Sequence, residues 1–227
     1  MTNILDASSF NYSQTRKDSN FEFILTKCVI VYNLILNSGI NLANDENLIR
    51  DEFLKYLKDF DFKVKNELKH LIFDKEVSET TGRVDIRIVP TKDEYVNDSA
   101  YYSIECKRLN ATNLKGTTGL NAEYVKNGIC RYSTGYYSSY FDCNAMFGFL
   151  VESVNIQKDI VNNINLMLNT KFANAQGEIV DAKATQQMQY ENFADGYSYS
   201  YVSKHTHNSG NELTLYHLMF DFSNNIR

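Results

Sequence analysis

At 227 residues the chain is the size of one ordinary domain, and 43% hydrophobic with 22% charged residues is the make-up of a folded globular protein. No run of about 18 uninterrupted apolar residues is present to cross a bilayer. The formal net charge of −5 excludes a protein that coats nucleic acid through a global positive field, so any phosphate contact has to be local.

Residues 1–20 are polar and aperiodic and predict an irregular N-terminal segment. Phe21 to about Asn37 reads as a largely apolar helix. Its core, Cys28 to Leu36, follows a polar, charged start and lacks a small-residue cleavage site, which predicts a buried helix rather than a signal peptide. Ser38-Gly39 breaks it, and a second helix begins around Asn44 to Glu46. That helix is amphipathic: Leu48, Phe53, Leu54, Tyr56 and Leu57 form the apolar stripe, opposite polar Glu46, Arg50, Asp51, Lys55 and Lys58. From Phe62 the texture is short-segmented. Phe62 to Val64 suggests a strand or lead-in, Leu68 to Phe73 is ambiguous, and Glu76 to Thr81 is polar.

Gly82 to Val89 and Tyr101 to Arg108 are strong strand signals, separated by a turn region at Pro90 to Asp93 and a polar loop, and they predict an antiparallel hairpin. Asn121 to Tyr132 reads as helix, Ala145 to Val151 as a buried strand, and Ile156 to Asn169 as an amphipathic helix. A loop rich in Tyr, Ser and His follows, then a strand from Leu213 to Phe222. The pattern predicts one α/β domain with a mixed central β-sheet flanked by helices. Four scattered cysteines, Cys28, Cys106, Cys130 and Cys143, have neither CxxC spacing nor histidines at ligand distance, which predicts reduced thiols in a cytoplasmic protein.

Strand alternation puts Arg83, Asp85 and Arg87 on one face of the first strand, and Glu105 and Lys107 side by side on one face of the second. The 20-residue offset between Asp85 and Glu105 lets a hairpin bring them opposite one another. Two carboxylates held together repel unless a cation joins them, so the cluster is a candidate Mg2+ site, with Mn2+ as an alternative. An ammonium beside it suits the orientation of a water and the stabilisation of extra negative charge on a phosphate, the needs of phosphodiester hydrolysis.

Val84-Asp85 followed by Glu105-Cys106-Lys107 resembles the PD-(D/E)xK motif of the restriction-endonuclease-like nucleases, with Val84 at the motif's proline position. The likeness extends through Gly82 to Ile86, Ile104 to Leu109 and Tyr124 to Tyr132, a core of about residues 44–151, with 152–227 as a C-terminal extension within the same single domain. It implies an active site on a β-hairpin, with Asp85 and Glu105 as metal ligands, the Cys106 backbone carbonyl as a further ligand, and Lys107 as the catalytic cation. It also implies a Glu on the preceding helix, for which Glu46 is chosen over Glu52. Arg108, Arg131 and Tyr124 are candidate substrate contacts, or else side chains that simply cover the sheet. The implied activity is metal-dependent endonucleolytic cleavage, of DNA rather than RNA, in restriction or phage defence, with a homodimer or a protein partner. The alternative is a non-catalytic or partner-activated nucleic-acid-binding module of a defence complex.

Blander readings stand beside these. Asp85, Glu105 and Lys107 also fit a solvated strand face with a cross-strand ion pair, and Glu46 fits a carboxylate favoured by a helix dipole. His205, His207 and His217 read as surface or structural residues rather than metal ligands. Tyr197 to Tyr201 reads as a half-buried strand rather than a stacking platform. Gly116 to Gly119 lacks the Lys-Ser/Thr of a phosphate-binding loop and reads as a flexible connection.

Overall fold

The computed structural model describes residues 12–78, 82–91, 101–137 and 143–227. A mixed sheet of seven strands, in the order β1-β2-β3-β4-β9-β8-β7, is flanked by helices on both faces. The strands are β1 Leu71–Ser78, β2 Arg83–Pro90, β3 Tyr102–Leu109, β4 Cys143–Leu150, β7 Ala184–Tyr190, β8 Ser200–Thr206 and β9 Glu212–Asp221, while β5 Phe172–Ala173 and β6 Ile179–Val180 form a separate small ribbon. β2 and β3 pair antiparallel, as expected, and β3, β4 and β9 run parallel to one another. The turn expected at Pro90 to Asp93 lies largely outside the described residues.

Helices α1 Tyr12–Ser38, α2 Glu46–Lys58 and α3 Phe60–Lys65 precede the sheet. α1 starts nine residues before the expected helix, so the irregular segment predicted for residues 1–20 is helical from Tyr12 onward. It is the one helix among the described residues long and apolar enough to span a membrane by length and composition. Its apolarity has a use inside the fold: Phe21, Leu25, Cys28, Val31 and Ile35 are wholly buried in the cluster that covers one face of the sheet. Phe62 to Val64 is helix, not strand, because Asp59 caps it through the Phe62 N–H at 2.8 Å.

α2 is anchored by Phe53, whose ring lies 5.7, 5.6, 5.0 and 6.0 Å from those of Phe147, Phe149, Phe220 and Phe222. Such pairs add about 0.5–1.5 kcal/mol each beyond the area they bury. The buried stripe is Ile49, Arg50, Phe53, Leu54 and Leu57; Leu48, expected inside, is 55% exposed. Asp45 caps this helix by accepting the Leu48 N–H at 3.0 Å, which places Glu46 at its first position, over the C-terminal half of β3.

On the other face, α4 Leu120–Tyr124 continues through a π-helical segment, Val125–Ile129, into α5 Cys130–Ser133, and a second π segment, Ile156–Val161, leads into α6 Asn162–Met167. The tail is no appendage. β9 lies between β4 and β8, and β8 occupies much of the stretch read as a Tyr-, Ser- and His-rich loop. Only Ser200-Tyr201 of the Tyr/Ser alternation is strand.

Candidate active site

One residue beyond the paired Ile86 and Ile104, the β2–β3 register sets Asp85 opposite Glu105. Asp85 Oδ2 accepts the Cys106 backbone N–H at 2.8 Å, and its Oδ1 accepts from Arg50 Nη1 at 3.1 Å. Glu105 and Lys107 share a face, as alternation predicts, but that face is covered: Glu105 is 1% and Lys107 8% exposed. The solvated strand face is thereby excluded, since β3 is an interior strand with helices on both sides.

The Lys107 ammonium is the hub. Its Nζ donates to Glu105 Oε1 at 2.7 Å, to the Cys106 carbonyl at 2.7 Å and to Glu46 Oε1 at 3.0 Å. Glu46 Oε2 accepts the Arg108 backbone N–H at 3.1 Å, so this carboxylate is tied to the β3 backbone, whereas Glu52 pairs with Lys55 on its own helix. Arg131 Nη1 lies 3.4 Å from Glu105 Oε1 and donates to the Tyr137 hydroxyl at 2.6 Å. Gly128 makes that reach feasible: a Cβ there would run into Met146, so glycine lets the helix settle onto β3 and β4. Arg108 donates to the Asn44 carbonyl at 2.6 Å and side-chain oxygen at 2.7 Å and lines the same cleft.

Tyr124, expected to touch substrate, does not face the cleft. It is wholly buried, and its hydroxyl is 2.8 Å from His217 Nδ1. The chain of partners runs on from His217 Nε2 through Ser203 Oγ (2.7 Å) to His205 Nε2 (2.7 Å), and from His205 Nδ1 to the Ala182 carbonyl (2.6 Å). A carbonyl only accepts, so His205 Nδ1 carries the proton. Ser203 then donates to His205, His217 Nε2 donates to Ser203, and Tyr124 donates to His217. Both histidines are internal and neutral, so of the two readings, surface or structural, the structural one holds for His205 and His217. Neither alternation nor spacing signals such a network.

Two features were missed in the sequence. Arg50, assigned to the polar side of α2, is 1% exposed and meets Asp85, Glu76 and Asp51 at 3.1, 3.2 and 3.0 Å. Its four-residue spacing from Glu46 was the available signal, because i and i+4 share a helix face. Burial disfavours its charge, but the hydrogen bond to Asp51 and the charge of Asp85 outweigh that and hold the guanidinium above its ordinary value. Glu76 on β1 falls opposite Asp85 in the β1–β2 register at φ 50°, a left-handed conformation costly for a residue with a Cβ. No pattern in the sequence marks it.

Burial pushes the Glu105 carboxyl up to about 7, against the pull of Lys107, with Asp85 adding to the rise. Burial also works against the Lys107 charge, but Glu105, Glu46 and Asp85 prevail and hold the ammonium protonated above its usual range. Cys106 is a core thiol pushed up by burial, not a nucleophile.

The donors suit a hard divalent cation, being the carboxylates of Asp85, Glu105 and Glu46 and a backbone carbonyl. Glu105 Oε2 is the specific fit: it is buried without a hydrogen-bond partner among the described residues, a costly state for a carboxylate oxygen that a proton or a cation relieves. The remaining donors are turned toward Arg50 and Lys107, and among the described residues no group of three or more His, Cys, Asp or Glu is drawn together as an ion cage. In comparisons with known proteins, no family model, no curated protein and no solved structure matches the chain.

Proposed function

We propose that the protein is a metal-dependent nuclease that hydrolyses DNA phosphodiester bonds, in the setting of restriction or phage defence. The reading is carried by the convergence of Asp85, Glu105 and Lys107, with the Glu105 Oε2 atom buried and unpartnered at the floor of an open cleft of about 690 Å³. Asp85, Glu105, the Cys106 carbonyl and Glu46 would hold Mg2+ or Mn2+, which supplies a Lewis acid and an acidified water when bound. Lys107 acts as a fixed cation: held protonated, it is no base at neutral pH, and it stabilises charge that grows on the phosphate. Arg131, a third exposed beside Glu105, supplies a second cation to the same group.

A second reading has a specific observation behind it. Arg50 already pairs with Asp85, and Lys107 with Glu105 and Glu46, so the site as it stands is engaged in its own ion pairs, which favours a module switched on by a partner or by substrate. Incubating the purified protein with linear, supercoiled and single-stranded DNA and with RNA, in Mg2+, Mn2+ or EDTA, separates the two. Metal-dependent cleavage that drops by at least about 100-fold in Asp85→Ala and Lys107→Ala is the expected result. Cleavage surviving both substitutions would remove the site assignment, and no cleavage of any substrate would favour the binding module.

A further inference from the structure

The cleft over Glu105 and Lys107 does not end at the active site. A narrow cavity of about 90 Å³ adjoins it and a third of about 470 Å³ follows. Asn127 and Arg131 line both the first and second, Thr134, Asn174 and Val180 line both the second and third, and Tyr136 lines all three. The result is one groove, running from the carboxylates past α5 and along the β5–β6 ribbon.

From this geometry we infer that the groove is a binding track for a single strand of nucleic acid. The inference rests on the nuclease reading for its direction, since the track starts at the proposed reaction centre. Two observations select the ligand. Acidic and basic side chains line the groove in equal number, so phosphate attraction by itself holds neither a duplex nor a single strand there. In its place stands a planar aromatic surface: Tyr136, 37% exposed, lies with its ring 5.1 Å from the Arg131 guanidinium. Bases stack on such a pair without regard to sequence.

Gly82, just before β2, lets the Tyr136 ring lie against its backbone, where a Cβ would push the ring aside. At the far end Lys183 is held at φ 45°, a strained conformation for lysine, with its ammonium on the Asn208 side chain at 2.6 Å. It is exposed and positioned to take a backbone phosphate.

The test is fluorescence anisotropy in EDTA with the full chain and labelled oligo-dT and oligo-rU of about a dozen nucleotides, against a blunt DNA duplex of equal length. Both or one of the single strands should bind more tightly than the duplex, and the preferred sugar identifies the natural strand. Tyr136→Ala and Lys183→Glu, each with wild-type circular dichroism, should weaken that binding by at least about fivefold. Equal or tighter duplex binding, no binding of either strand, or unchanged affinity in both variants overturns the track. The two proposals fail separately. Strand binding that depends on Tyr136 and Lys183 without any metal-dependent cleavage removes the nuclease and leaves the track, whereas cleavage with affinity untouched by both variants removes the track alone.

Discussion

Arg50 meets Asp51, Glu76 and Asp85 from a position 1% exposed, so its removal strands carboxylates around a space that water barely reaches. Breaking a buried ion pair from one side costs about 3–5 kcal/mol. Because Asp51 and Glu76 are partly exposed and Asp85 keeps the Cys106 N–H, Arg50→Met should cost less, about 2–3 kcal/mol in urea denaturation; a loss within 0.5 kcal/mol, the ~ range of ordinary surface substitutions, would deny the cluster its structural part. His205 makes a pH prediction. Burial lowers its pKa from 6.5 to about 4, so the folded ring stays neutral. Above pH 6.5 both states are neutral there and nothing is lost; below it the unfolded chain takes up a proton that the folded chain refuses, and stability falls by about 1.4 kcal/mol per pH unit down to about pH 4. Glu105 works in the opposite sense, because its raised pKa makes a contribution fully present below 4.5 and lost as the pH rises through about 7. The two oppose one another in the wild-type profile. The profile of His205→Gln minus that of wild type removes this imidazole's share while the buried His217 stays in both chains, and should show the variant losing less stability than wild type between pH 6.5 and about 4.

Among the elements, the helix running from α4 into α5 does most to shape the site. Its π-helical segment at Val125–Ile129 widens one turn beside β3, a device often found at functional positions, and Gly128 brings that turn close to Met146 and the Lys107 stem. Gly128→Val should therefore lower stability by about 1–3 kcal/mol through overpacking and push Arg131 away from Glu105. A thermal melt measures the first effect, and the second appears as a greater loss of cleavage than the melt explains at a temperature where the variant is folded. Unchanged melting would mean that the helix sits farther from the sheet. The hairpin strands β2 and β3 were legible because alternation of Val84, Ile86, Ile88 and Ile104 with charged residues is a local pattern. β7 was not, since Ala184 to Tyr190 has one buried residue, Met188, in a polar edge strand.

For the whole molecule, β9 is the decisive strand. It pairs with β4 on one side and β8 on the other, so a strand within the last 16 residues of the sequence closes the middle of the sheet. A fragment of residues 44–151, the core suggested by the motif, loses both β9 and α1 and exposes Phe147, Phe149 and the Phe53 face of α2. That fragment, and a chain ending before Glu212, should show no cooperative unfolding transition and rapid proteolysis; a sharp melt of either would contradict the interdependence of the layers. The net charge of −5 belongs to this scale too, because it gives the molecule no overall positive field, so that any attraction of a polyanion has to be local.

Local sequence determined the charged groups of the candidate site and their immediate geometry. Period-two alternation put Glu105 and Lys107 on one face, the hairpin offset set Asp85 opposite Glu105, and the helix start at Asn44 to Glu46 placed Glu46 in a first turn. Tertiary structure decided what those groups meet. Arg50 turned inward because α2 packs on the sheet through neighbours on the same stripe, Tyr124 turned away because β9 brings His217 to it, and Lys107 became the hub because helices from both faces close over β3. The physical reason is range. Backbone alternation and capping act over a few residues and leave their mark in the sequence, whereas burial and ion pairing depend on which distant segments the sheet order makes neighbours.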